Sequence, residues 1–134
     1  MLIQEAIYNH LVNHGGTGDL VSTRVYHTAR RPQDPTSPWV IFGIEGSAPV
    51  HPFVDRPAAA EATLRVMCVG DDTPEASANL AEQTRDALDT FTGAMGGGPT
   101  VLSCMLREQS DDEDIDLGLS VTSQDYQITY ELGR

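Results

Sequence analysis

Residues Ala59–Val69 read AAEATLRVMCV, and residues 71–75 directly after them read DDTPE. In the first stretch Ala62, Leu64, Val66 and Cys68 alternate with Thr63, Arg65 and Met67. Successive strand side chains point to opposite faces, so this spacing predicts a strand that is buried on one face. In the second stretch Asp72 or Thr73 can cap free backbone N–H groups, Pro74 suits a first helical turn, and Glu75 complements the helix dipole. A helix therefore starts there. Leu80, Thr84, Ala87, Leu88 and Phe91 share one of its faces, and Gly93 stops it. A half-buried strand followed at once by an amphipathic helix calls for a sheet with a helix laid on its apolar face.

Toward the C-terminus, Gly96-Gly97-Gly98-Pro99 reads as a flexible connector. Thr100 to Glu108 reads as a strand with Leu102, Cys104 and Leu106 on one face, and Gln109 to Asp116 (QSDDEDID) as an acidic turn. Leu119 to Leu132 alternates again, with Tyr126, Ile128, Tyr130 and Leu132 inward, so the last two strands form an antiparallel hairpin. Toward the N-terminus, residues 45–58 (EGSAPVHPFVDRPA) hold Pro49, Pro52 and Pro57 and read as a long loop. Trp39 to Ile44 (WVIFGI) is a short apolar strand, and residues 28–38, with Pro32, Pro35 and Pro38, are a second loop. Leu20 to Tyr26 is a short strand candidate. Ile3, Ala6, Ile7, His10 and Leu11 share a helix face, ended at Asn13-His14-Gly15-Gly16 by a glycine in the left-handed conformation. The expected fold is α+β: a mostly antiparallel sheet of about four to five strands with two helices packed on one face.

The length of 134 residues fits one domain spanning residues 1–134, large enough to bury roughly two-thirds of its unfolded surface. Twenty acidic and eight basic residues give a net charge of −12. Nucleic-acid binding by a basic face and adhesion to an anionic membrane are thereby disfavoured, because both need cations in number. All the basic residues are Arg and there is no Lys, which reads as coding bias or a salt-loving host. No apolar run approaches the roughly 20 residues that span a bilayer, and MLIQEAIYNH lacks the basic and apolar regions of a signal peptide. Two cysteines, Cys68 and Cys104, are too few for a disulfide scaffold; both fall on inward strand faces and read as buried thiols.

No constellation advertises chemistry. His10 and His14 stand four residues apart, as zinc-binding pairs do, but Leu-Val-Asn lies between them and no HExxH results. They read as partners of the helix C-terminal dipole. The acids Asp111, Asp112, Glu113, Asp114 and Asp116 lack the spaced pattern and terminal Glu of a calcium loop and read as a solvated tip. The segment GAMGGG is no phosphate loop, and a chain without Lys makes no Schiff base. Neither a catalytic residue nor a cofactor is expected. Trp39, Tyr126 and Tyr130 read as core.

The arrangement resembles the tail-completion or tail-terminator family of long-tailed bacteriophages, related prophages and gene-transfer particles. The stretches that carry the resemblance are the first helix with its Gly turn, Leu20-Val21 leading to Arg24-Val25-Tyr26, and Pro38-Trp39-Val40-Ile41-Phe42. The strand through Leu64-Arg65-Val66 with its helix Glu75 to Phe91, and the closing strand near Tyr126 to Tyr130, complete the set. The resemblance implies a structural virion protein at the tail–neck junction, assembled in the host cytoplasm. It implies a homo-oligomeric ring, usually of six copies, that caps the tail tube, ends its polymerisation and offers the surface for head joining. Its partners would then be the major tail tube protein and a neck or head-completion protein, with genome DNA passing through the lumen unbound.

A closing ring needs head-to-tail contacts, for which exposed strand edges and Pro-rich loops are suited. Val50, Phe53, Val54 and Arg56 are the expected interface residues, because apolar side chains in a Pro-rich loop call for a covering partner. The acidic turn Asp111, Asp112, Glu113, Asp114 and Asp116 is the expected lumen-facing element, repelling DNA phosphate. The competing readings are a neck, head-closure or minor tail protein, and a small acidic, calcium-dependent binding domain.

Overall fold

The computed structural model describes residues 3–21, 23–27, 38–50, 59–70, 74–114 and 119–131. Its elements are α1 (Ile3–Asn13), α2 (Gly15–Val21), β1 (Val25–His27), β2 (Trp39–Val50), β3 (Ala59–Val69), α3 (Pro74–Leu88), β4 (Gly93–Ala94), β5 (Thr100–Asp114) and β6 (Leu119–Glu131). Six strands form one sheet in the order β1-β2-β3-β6-β5-β4. Only β1 and β2 run parallel; every other neighbouring pair is antiparallel. The α+β class is as expected, with six strands and three helices in place of four to five strands and two helices.

The alternation in β3 places Ala62, Leu64, Val66 and Cys68 in the core, opposite Ile128, Tyr126, Gln124 and Thr122 of β6. Ile3, Ala6, Ile7 and Leu11 of α1, Val21 of α2, and Leu80, Ala81, Ala87 and Leu88 of α3 close over that face. A second cluster of Trp39, Ile41, Val69 and Val121 lies on the opposite face and contains no helix residue. Helices thus pack on one side of the sheet. Met67, Arg65 and Thr63 occupy the other side, as the alternation requires.

Five local readings are corrected. Gly15 and Gly16 do not end a helix in the left-handed conformation but open α2. His14 caps that helix: its Nδ1 accepts from the Thr17 N–H at 3.2 Å, and its carbonyl accepts from the Gly18 N–H at 2.7 Å. Leu20 and Val21 are therefore helical, and the strand is only Val25–His27. Arg24 ties the two together, donating from Nε to the Pro38 carbonyl at 2.9 Å and from Nη2 to the Leu20 carbonyl at 3.4 Å.

Residues 45–50 are strand rather than loop. Two residues, Gly46 and Ser47, stand opposite Ala62, and Gly46 has φ +64°. A glycine in the left-handed region lets a strand carry one extra residue without ending. In β5 an extra residue at Leu102 shifts the alternation, so Val101 rather than Leu102 is buried and Leu102 is 47% exposed. Finally, the glycine-rich connector is a bonded turn. Met95 is fully buried, and its carbonyl accepts from the Gly98 N–H at 2.8 Å. Asn9 Nδ2 donates to the Gly96 carbonyl at 3.2 Å.

At Gly96 the backbone has φ +54°, and a Cβ would lie 2.3 Å from the Ala6 carbonyl oxygen of α1. Gly96→Ala should therefore destabilise the chain by about 2 kcal/mol or more, from the left-handed backbone and the clash together. Gly15→Ala, where a Cβ meets nothing within 4 Å, should stay within about 1 kcal/mol of the parent or stabilise it. Urea unfolding midpoints of the two variants check both values.

Candidate functional site at the sheet edges and the acidic strand

Of the predicted interface and lumen residues, those described, Val50 and Asp111 to Asp114, fall at opposite sides of the sheet. Val50 ends β2, paired with Ala59; Phe53, Val54 and Arg56 lie outside the described residues. Asp111, Asp112, Glu113 and Asp114 are not in a turn but in β5, paired with Thr122, Val121, Ser120 and Leu119 of β6. Asp116 lies outside the described residues. Asp111 is exposed, yet its Oδ1 accepts from Thr122 Oγ1 at 2.9 Å, so this acid also anchors the strand pair.

That bond is the outer end of a buried polar track beneath α3 that sequence reasoning missed. Gln124 is fully buried. Its Nε2 donates to the Ala81 carbonyl and to Gln109 Oε1, both at 2.9 Å. Its Oε1 accepts from Thr84 Oγ1 at 2.9 Å and from Tyr126 OH at 2.7 Å. The amide thus uses both of its donors and both acceptor sites. Burial raises the Cys68 thiol to about 12, so it stays protonated and its S–H donates to Thr84 Oγ1 at 3.3 Å. Thr122 Oγ1 and Ser77 Oγ lie 3.2 Å apart. The signal was present: extending the inward parity of Tyr126 and Ile128 back along β6 gives Gln124, Thr122 and Ser120. Polar residues at inward positions next to a helix that carries Thr84 and Ser77 mark a bonded track.

The histidines are structural. His10 donates from Nε2 to the Ala87 carbonyl in the last turn of α3 at 2.7 Å and packs against Phe91 with the rings tilted by 57° and their centroids 4.3 Å apart. Burial lowers its pKa, partly opposed by that bond and assisted by nearby His14, so its Nε2–H donor form prevails at neutral pH. It therefore serves the C-terminus of α3, not of its own helix. His14 Nε2 lies 3.0 Å from Asp86 Oδ2.

Cys68 and Cys104 sit on β3 and β5 with β6 between them, and burial raises the Cys104 thiol to about 12 as well. Neither is poised to react. Among the described residues no group of three or more His, Cys, Asp or Glu side chains is placed to hold a metal ion, and no helix is long and apolar enough to cross a membrane. An open groove of about 410 Å³ beside the end of α3 is lined by Glu82, Arg85, Asp86, Asp89 and Thr90.

The sheet's outer strands leave backbone edges free. β1 pairs with β2 only at Val40, Ile41 and Phe42, so among the described residues Gly43–Val50 has no strand on its outer side. Pro49 is accommodated there because an edge strand does not need every N–H. At the other side β4 pairs with β5 only at Thr100 and Val101. The α3–β4 turn covers the next stretch: Thr90 N–H donates to the Cys104 carbonyl at 2.7 Å, and Leu106 N–H donates to Asp89 Oδ1 at 3.0 Å. From Arg107 to Asp114 no described strand covers that edge.

The helix-free face between these edges carries a charged ladder. Arg65 reaches Asp125 at 3.0 Å and Glu45 at 3.3 Å. Arg107 donates to Gln127 Oε1, and the Gln127 amide donates to Glu61.

Comparison with known proteins places this geometry. Residues 5–131 match the family described as tail completion protein gp17. Curated proteins give no match. Among solved structures, a chain in "Virion of native gene transfer agent (GTA) particle" shares the fold with a TM-score of 0.73 and 14% sequence identity. The alignment covers 97% of this chain and 95% of that one.

Removing members of the polar track should cost unequal amounts. Tyr126→Phe deletes one donor and should cost about 1 kcal/mol, whereas Gln124→Ala strands several buried groups and should cost about 3 kcal/mol. The double variant should cost less than the sum, because both act on the same bond. A double-mutant cycle in urea checks this; additive losses would mean that the track is not a unit.

Proposed function

Because this chain belongs to the tail completion protein gp17 family, and so has a structural role in a phage-type virion tail, we propose that it closes as a ring on the last ring of the tail tube. The ring stops tube polymerisation and offers the surface to which the filled head docks. Its partners are further copies of itself, six in the ring, the major tail tube protein, and a neck or head-completion protein at the tail–neck junction. The family match over residues 5–131 carries this reading. Among the described residues, two edges without a neighbouring strand lie on opposite sides of one sheet, which supports it, because a ring needs two different contact surfaces per copy. Val50, Phe53, Val54 and Arg56 contribute to the contact between copies. The acidic segment that holds Asp111, Asp112, Glu113, Asp114 and Asp116 borders the lumen, where acids summed around the ring repel DNA phosphate and let the genome slide.

Electron microscopy of a lysate from a phage lacking this gene should show overlong, ragged tails beside filled, unattached heads. Tails of normal length that fail to join heads would move the protein to a head-closure role. Complete particles would contradict both. Replacing the five acids by their amides (Asp→Asn, Glu→Gln) keeps an oxygen at residue 111 to accept from Thr122. Assembly should therefore survive while DNA ejection slows, and unchanged ejection kinetics would contradict the lumen assignment.

A further inference from the structure

We propose that the copies join by strand addition, with the free edge of β5 (Arg107–Asp114) of one copy pairing antiparallel with the free edge of β2 (Gly43–Val50) of the next. This deepens the ring reading and rests on it. Direction follows from topology: each step β2-β3-β6-β5 is antiparallel, so β2 and β5 run oppositely and a continued sheet joins them antiparallel.

Partner choice follows from charge. Residues 107–114 hold Glu108, Asp111, Asp112, Glu113 and Asp114 against Arg107, five acids less one cation, or −4. Two such strands side by side would bring like charges opposite one another, which destabilises a strand pair. Residues 43–50 hold only Glu45, or −1, and the sequence that follows carries Arg56. The charge pattern therefore disfavours a two-fold β5–β5 dimer, whereas the head-to-tail join of unlike edges meets less repulsion and can close a ring. Pro49 has no N–H to give, so the join makes fewer bonds than a regular pair.

The register adds a geometric argument. Gly43, Arg65, Asp125 and Glu108 lie on one line across the sheet. From that line the free edge of β2 runs one way and the free edge of β5 the other. Their midpoints are offset: Ser110 lies level with Ser123 and Met67, whereas Ser47 lies opposite Ala62. Five residues of β3 separate those levels, or ~17 Å along the strand. The copies must therefore be staggered along their strands, and a sheet closes into a barrel only with such a stagger and the tilt that comes with it.

Particles carrying Ser47→Cys and Ser110→Cys together test the join by mild oxidation and non-reducing electrophoresis. The native thiols do not interfere, because Cys68 and Cys104 are buried and free. The expected result is a ladder of covalent multimers ending at the mass of the closed ring, with either single variant remaining monomeric. Dimers from Ser110→Cys alone would overturn the join in favour of a two-fold contact. Tails of normal length with no ladder would overturn the join and leave the ring reading standing. Absence of the chain from purified particles would remove the ring reading and the join with it.

Discussion

The pairing of β3 with β6 is the constraint on which the rest of the structure depends. Eleven consecutive pairs, Ala59↔Glu131 to Val69↔Val121, run without interruption through the middle of the sheet. A slip of one residue would turn every inward side chain to the other face. The regular register therefore fixes which side of the sheet the helices cover. It also pushes all irregularity outward, to β2 with its extra residue at Gly46 and Ser47, and to β5 with its extra residues beyond Val101 and beyond Leu106. The centre is regular, and the irregularities lie toward the edges. That division suits a subunit that keeps its own fold while offering its borders to neighbours.

Within this frame, Gln124 sets where α3 sits. Its amide reaches the Ala81 carbonyl on α3, Gln109 on β5 and two hydroxyls, so helix, central strand and acidic strand share one bonded centre. Burial alone would let α3 slide over the alternating apolar face. A fully satisfied buried amide permits one position, because any other strands a donor or acceptor. The same track ends at Asp111, which links the core of the subunit to the strand whose edge is free.

The most regular parts of the fold were legible in the sequence. Period-two alternation in Ala59–Val69 and Leu119–Glu131 gave strands, and DDTPE with the Leu80–Leu88 spacing gave α3. Three of the misses share one cause: residues that normally interrupt an element were absorbed by it. Gly46 and Pro49 signal a loop, but a left-handed glycine and an open edge admit both to β2. Asp111 to Asp114 signal a turn, because charge is depleted in strands, but an edge strand tolerates charge. Gly15-Gly16 signals a helix end, yet the His14 cap and the buried Thr17 and Val21 make it a helix start. The acidic segment and Val50 read as turn and loop in the sequence, whereas the structure places Asp111–Asp114 and Val50 in strands. The edge cover by Asp89 and Thr90 had no sequence signal at all, because it exists only once α3 and β5 are packed.

In the proposed assembly, a single sheet with two unlike edges, each without a neighbouring strand among the described residues, becomes part of a closed ring at the end of the tail tube. Cryo-electron microscopy of the head–tail junction in purified particles tests it most directly. The expected result is a closed ring of copies of this chain on the last ring of the tube, the β5 edge of each copy beside the β2 edge of the next. A single copy at the junction, or copies that meet only through their helices, would contradict it.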